Sequence, residues 1–259
     1  MNDILLDNER YDKVNEDISL IQKKGGLTFG TDAYLLASYV KPRPSGRAVE
    51  LGTGTGIISL LCAARNKFKK IYAVEIQEDF AELAKRNVLH NSLGDKIYII
   101  CDNVKNISAA DVDGEVEAVF ANPPYMRTDS GKRNDSDYKY IARHEVFGGI
   151  GDFCGAAYRV LKHGGKFYCV WRPDRLAELF CAMRDNRIEP KVMTFVHADC
   201  ESEPSMVLVS ATKGGAEGMK VTTPLLLYKE GNENGKRVMT DKADRIYDTM
   251  SFDFLDGKR

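Results

Sequence analysis

No apolar run in the chain approaches the roughly 20 residues that a membrane helix needs. The first residues, MNDILLDNERYDK, are acidic and polar rather than a basic start followed by an apolar stretch. There is also no excess of charge of either sign. Lys and Arg total 37 against 38 Asp and Glu, for a net charge of −1. No global field announces nucleic acid or an anionic membrane, so any contact with a polyanion has to be a local patch. The six cysteines (Cys62, Cys101, Cys154, Cys169, Cys181 and Cys200) include no C-x-x-C pair. Most lie in segments that read as core helix or strand, which makes buried, reduced thiols the expectation. His144-Glu145 lacks the second histidine of H-E-x-x-H, so no metal is expected. A cytoplasmic, reducing location and no membrane partner follow. The oligomeric state is left open, a monomer being preferred.

What the chain does contain is alternation. From GRAVELG onward, AVEL, KIYAVEI, KIYIIC, EAVFA and GKFYCVW read as strands, and IISLLCAARN, EDFAELAKRNVLHN, FCGAAYRVL and RLAELFCAMRDN read as helices. KVMTFVH and SMVLVSAT follow as a last pair of strands with no clear helix between them. Short links between alternating strands and helices imply parallel βαβ units, and the final pair closes the sheet as an antiparallel hairpin. The expected fold is α/β, a doubly wound, Rossmann-like sheet of seven strands with the last antiparallel. Residues 1–46 form a first segment, 47–212 the core, and 213–259 a tail rich in Gly, Asn and Lys.

Three strand ends carry chemistry. In VELGTGTG, Gly52, Gly54 and Gly56 lie between a strand and a helix, where glycine permits φ > 0 and lets a ligand approach the backbone. The spacing is G-x-G-x-G, not the G-x-G-x-x-G of dinucleotide sites. Glu75 and Ile76 end the next strand, where a carboxylate can accept both hydroxyls of a ribose. Asp102 and Asn103 follow the third, where a carboxylate or carboxamide can meet an adenine. The bland alternative is a set of βα turns whose acids cap helices, but the four matched positions in order favour a nucleoside-carrying cofactor.

A fourth strand end, EAVFANPPYM, stops an apolar run with an amide, two prolines and a tyrosine. Proline has no N–H and fixes its own φ, so Asn122, Pro123, Pro124 and Tyr125 form a stiff turn at a strand's carboxyl end. The lone pair of an exocyclic amine is delocalised into its ring. The Asn122 oxygen and the Pro123 carbonyl can accept the two amine hydrogens and favour a pyramidal nitrogen, while Tyr125 offers a stacking face for a flipped base. Beyond the turn, Arg127, Arg133, Lys139 and Arg143 suit phosphates, although Asp129, Asp135 and Asp137 among them suit a solvated loop equally well.

VELGTGTG, VEI, CDN and NPPY together resemble the class I S-adenosylmethionine-dependent methyltransferases. The resemblance implies S-adenosylmethionine as cofactor. It puts Glu50 near the methionine amino group, Gly52, Gly54 and Gly56 at the cofactor turn, Glu75 at the ribose and Asp102 at the adenine. FGTDAYLLA, ARHE and the late KGGAEGMKVTTPLLLY further resemble the bacterial tRNA adenine-N6 methyltransferases that modify valine tRNA beside the anticodon, including their Gram-positive branch. That likeness implies a tRNA partner and packs the segment carrying Thr31 and Asp32 over the cofactor, whereas their local reading is a helix N-cap before AYLLASYV. Two rivals stay open. One is N5-glutamine methylation of a release factor, against which stands the short stretch 1–46 ahead of the core. The other is a binding module without catalysis, which the intact Asn122 and Tyr125 disfavour.

Overall fold

The computed structural model describes residues 5–24, 30–123, 148–233 and 236–253. The core strands are β3 (Arg43–Leu51), β4 (Phe68–Glu75), β5 (Ile97–Cys101), β6 (Val116–Ala121), β7 (Leu161–Trp171), β8 (Ile188–His197) and β9 (Pro204–Lys213). They lie in the order β8-β9-β7-β6-β3-β4-β5. β3 to β7 pair in parallel, while β9 is antiparallel to both neighbours, β7 and β8. The last pair of strands is therefore the expected antiparallel closure. The strand order reverses between β3 and β6, the place where doubly wound sheets bind ligands.

The continuous apolar strands are explained by what covers each face. Along β6, Ala118 and Phe120 point into one buried cluster while Val119 and Ala121 point into the other. β7 alternates likewise, with Tyr168 and Val170 against Phe167, Cys169 and Trp171. A strand with helices on both sides needs apolar residues at every position. The first face is covered by α1 (Thr31–Tyr39), α2 (Ile57–Ala64) and part of α3 (Glu78–His90). The second is covered by α4 (Ile150–Val160) and α5 (Leu176–Asp185).

Elements outside the alternation are more ordered than their composition suggests. β1 (Glu9–Lys13) and β2 (Ser19–Lys23) form an antiparallel hairpin. It is fixed to α3 by the Arg86–Glu9 ion pair at 2.7 Å and by Asn87 and Asn91, which bond the backbones of Ile21 and Ser19. The tail adds β10 (Lys220–Val221) and β11 (Leu225–Leu226), both parallel to β8, so the outer edge of the sheet is paired rather than open. It continues with the hairpin β12 (Tyr228–Glu233) and β13 (Lys236–Met239) and the helix α6 (Asp241–Thr249). In α6, Tyr247 stacks on Tyr34 of α1 at 4.6 Å. The cysteine expectation holds for half of the set. Cys62, Cys154 and Cys169 are buried, whereas Cys101, Cys181 and Cys200 are exposed. Cys101 ends the edge strand β5, Cys181 faces outward on α5, and Cys200 lies in a bend. Among the described residues no helix is long and apolar enough to cross a membrane.

The helix α1 has no basic residue in its last turn, and a residue distant in sequence takes that place. The buried Lys67 donates to the carbonyls of Ala37 at 2.7 Å, Ser38 at 3.3 Å and Val40 at 2.7 Å. Those are helix-end carbonyls, and of the three only Ala37 has a second donor, the Cys62 thiol at 3.9 Å, among the described residues. Burial lowers the lysine's pKa from its ordinary value. Lys67→Met keeps the bulk of the stem but removes the ammonium from all three carbonyls. It is expected to cost about 1–3 kcal/mol of stability, measured by urea unfolding; an unchanged midpoint would mean that the helix end needs no cation.

Candidate functional site

The register places the sequence-predicted strand ends in one row. Leu51 pairs with both Val74 and Ala121, and Glu75 pairs with Cys101. Asn122, the glycine turn, Glu75 and Asp102 therefore follow four adjacent strands at the same edge. With neighbouring strands about 4.8 Å apart, the row from Asn122 to Asp102 spans roughly 14 Å. That is the reach of an adenosine carrying an amino-acid arm.

In the turn itself, Gly52, Gly54 and Gly56 have φ of 73°, 56° and 87°. A Cβ on Gly52 would lie 3.3 Å from the Phe153 ring, whereas one on Gly54 would meet nothing within 4 Å. At Gly52 the positive φ disfavours a side chain and a Cβ would also press on the Phe153 ring, whereas Gly54 borders open space that a side chain would fill. The N–H of Gly54 donates to Glu75 Oε2 at 2.8 Å, and the N–H of Gln77 donates to Oε1 at 2.9 Å. This buried carboxylate holds the turn closed, yet each of its oxygens keeps a lone pair for a hydroxyl donor. Ile76, half-buried, follows it. At the next strand end, Asp102 Oδ1 accepts from the Asn103 N–H at 2.6 Å and from Asn106 Nδ2 at 2.7 Å. Asn103 Oδ1 accepts from the Lys105 N–H at 3.0 Å.

Glu50 is 1 % exposed, and its Oε2 collects three donors. These are Thr53 Oγ1 at 2.7 Å, the Ser59 N–H at 3.0 Å and the Ser59 hydroxyl. Gly56, the N-cap of α2, has no side chain to cap with, so this strand carboxylate does the capping from across the turn. The donors converge on one oxygen, and Oε1 is left open. Burial pushes the Glu50 carboxyl up to about 7 despite the three hydrogen bonds, and the neighbouring Glu75 adds to the rise. Among the described residues, no cation is one of the largest influences on it.

At the other end of the row, Asn122 Nδ2 donates to Asp32 Oδ2 at 2.8 Å. An ionised carboxylate only accepts, so the amide has to present its NH₂ to Asp32 and its oxygen to the other side. Asn122 Oδ1 is buried and has no hydrogen-bond partner among the described residues. It is an open acceptor at the place where an amine is expected. Thr31 and Asp32 do not cap α1: the N-cap is Gly30, and both residues lie in the first turn. Asp32 holds Asn122. Pro123 is buried beside Asn122. Pro124 and Tyr125, with Arg127, Arg133, Lys139 and Arg143 of the insert, lie outside the described residues, as does His144-Glu145. A cleft lined by Thr31, Asp32, Trp171, Arg172, Pro204 and Met206 opens beside the Asp32–Asn122 pair. A second, narrower cavity lies at the opposite end of α1, near Val40 and Tyr168.

One residue central to the turn was not anticipated. Asn87, fully buried on α3, donates to the carbonyls of Thr55 at 2.9 Å and Ile21 at 3.2 Å. Its signal was present: it lies on the apolar face of that helix between Leu83 and Val88, where an unpartnered amide would be costly.

A family model described as the methyltransferase small domain matches residues 24–184. The chain belongs to that family. It is 30% identical over 184 residues to a tRNA1(Val) (adenine(37)-N6)-methyltransferase of Phocaeicola vulgatus, covering 71% of this chain and 76% of that one. It is 25% identical over 222 residues to the protein of that name in Bacteroides fragilis, covering 79% and 92%. Among solved structures, a predicted O-methyltransferase of Agrobacterium tumefaciens superposes with a TM-score of 0.67 over 85% of this chain and 97% of that one, at 24% identity, which supports the fold. The chain is thus a class I methyltransferase whose cofactor is S-adenosylmethionine. The open cradle at Gly54, the uncompensated acid Glu50 and the orphan Asn122 oxygen are all features this cofactor and an amine acceptor would fill.

The raised carboxyl gives a direct test on the cofactor-free protein. Between pH 4.5 and about 7 folded Glu50 keeps a proton that the unfolded chain has lost. Its contribution to stability therefore falls as pH rises through that window and is constant above it. The rise is worth about 3 kcal/mol at roughly 1.4 kcal/mol per pKa unit. Urea unfolding of wild type and Glu50→Gln at pH 5 and pH 8 is expected to show the wild type losing about that much relative to the variant. A constant difference between them would contradict the buried, uncompensated carboxyl.

Proposed function

We propose that this enzyme transfers a methyl group from S-adenosylmethionine to the N6 amine of an adenine in tRNA, next to the anticodon of a valine tRNA. The observation that carries this reading is the Asn122 amide, whose oxygen is buried, unpaired and aimed away from the carboxylate that holds its NH₂. The names of the relatives in Phocaeicola vulgatus and Bacteroides fragilis support tRNA and adenine over a release-factor glutamine. The work is cytoplasmic, where tRNA is.

The cofactor supplies an electrophilic methyl on a sulfonium. Glu75 accepts from the ribose hydroxyls with the lone pairs that Gly54 and Gln77 leave free. Asp102, with Asn103 and Ile76, borders the adenine, and Glu50 faces the ammonium of the methionine end. Asp32 turns the Asn122 oxygen toward the acceptor. Asn122 Oδ1 and the Pro123 carbonyl take the two hydrogens of the amine, so its lone pair localises as the nitrogen becomes pyramidal. Tyr125 stacks on the flipped base, Pro124 stiffens the turn, and Arg127, Arg133, Lys139 and Arg143 hold phosphates.

Because the contact with nitrogen strengthens only as it becomes pyramidal, it acts on kcat more than on binding. Asn122→Ala is expected to lower kcat on unmodified tRNA about 10²-fold or more, with cofactor affinity little changed. Mass spectrometry of tRNA nucleosides from cells with and without the protein identifies the product. Loss of N6-methyladenosine without the protein is the expected result. Methylation of a release factor, with tRNA unchanged, would transfer the activity to glutamine.

A further inference from the structure

Among the described residues, three buried side-chain polar atoms have no hydrogen-bond partner, and one is the Asn122 oxygen just discussed. The other two, Oε1 and Nε2, belong to a single residue, Gln22, which is 2 % exposed. A buried amide with both ends unpaired is costly, and such a group in a folded protein calls for a ligand or a function.

The position of Gln22 is set by its strand. β2 runs antiparallel to α3: Ser19 is bonded to Asn91 and His90 at the end of that helix, and Lys23 pairs with Asp79 in its first turn. Ile21, adjacent to Gln22, is held on both its N–H and its carbonyl by Asn87, whose amide also holds the Thr55 carbonyl of the glycine turn. Gln22 is therefore one residue from a backbone tied to the cofactor turn, and at its level along α3. Alternation puts Gln22 on the same face of β2 as Leu20. Leu20 belongs to the core cluster shared with α1 and α2. The amide thus lies on the face of β2 turned toward the core that α1 and α2 share, next to the Ile21 backbone that Asn87 ties to the glycine turn.

We infer that Gln22 is a binding residue for the α-amino-acid end of S-adenosylmethionine, an inference that rests on the cofactor site described above. A zwitterionic α-amino acid offers one donor group and one acceptor group side by side. Gln22 offers the complement, with Oε1 accepting from the ammonium and Nε2 donating to the carboxylate. Glu50 supplies the negative charge for the ammonium, and Gln22 Nε2 is, among the described residues, the one buried side-chain donor without a partner.

The test separates the two ends of the cofactor. S-adenosylhomocysteine carries the amino-acid arm, and 5′-methylthioadenosine lacks it. Isothermal titration of the full chain measures both ligands on wild type, Gln22→Leu and Gln22→Glu. Hydrogen bonds to charged groups of this kind correspond to about a ten- to hundred-fold change in affinity. That loss is expected for S-adenosylhomocysteine with both variants, with methylthioadenosine unchanged. The melting temperature of ligand-free Gln22→Leu should equal or exceed that of wild type, since the substitution removes two unpaired polar atoms and keeps the volume. Equal loss for both ligands, or for neither, would overturn the inference, as would a clear drop in melting temperature for Gln22→Leu. Failure of wild type to bind either ligand would instead overturn the cofactor-site reading on which it rests.

Discussion

The hydrogen bond from Asn122 Nδ2 to Asp32 Oδ2, 2.8 Å long, decides what the site can do. An asparagine at a strand end is otherwise free to turn either face of its amide to the ligand. A carboxylate at one side removes that freedom, because it can only accept. The oxygen is then directed to the other side, buried and unpaired. The rest of the first layer of helices keeps Asp32 in place. α1 is fixed at its far end by the Lys67 ammonium on three carbonyls and packed along its side by α6, where Tyr34 stacks on Tyr247 and donates to its carbonyl at 2.8 Å. The tail, which looks like an appendage in sequence, thus supports the helix that orients the Asn122 amide.

The other end of the site is organised by charge rather than by a single bond. Glu50 and Glu75 are both buried beside the same turn, each bonded to its backbone or to the helix that follows it. These contacts shape the glycine turn before any ligand arrives. They do not neutralise Glu50, whose carboxyl stays near 7. A site that carries uncompensated acid favours a ligand with a fixed positive charge, and S-adenosylmethionine has two such groups, its ammonium and its sulfonium. Preorganisation of this kind spends folding stability on binding.

The strand ends were legible because they are written locally. EAVFANPP and VELGTGTG each combine an apolar run with residues that only a turn tolerates, and parallel register then aligns them without further information. The antiparallel close of the sheet was equally readable from two strands with no helix between them. What escaped was set by contacts between distant segments. Asp32 carries two readings in sequence, a helix cap and a place over the cofactor; its bond to Asn122 shows only once the end of β6 meets α1, and Gly30 proves to be the cap. Gln22 and Asn87 look like ordinary polar positions in a strand and a helix, and only their burial reveals them. The tail's short strands, two residues each, pair with β8 and are too short to show a pattern of their own. The exposed cysteines were misjudged because an edge strand and the outer face of a helix are not distinguishable from core by composition alone.

The orienting role of Asp32 is tested most directly by a double-mutant cycle on the single-turnover rate of tRNA methylation at saturating S-adenosylmethionine. The cycle compares wild type, Asp32→Ala, Asn122→Ala and the double variant. If Asp32 acts through the Asn122 amide, the double variant is about as slow as Asn122→Ala alone, because an absent amide cannot be misoriented. Multiplicative losses in the double variant would show that Asp32 serves the reaction by a separate route and would contradict the account.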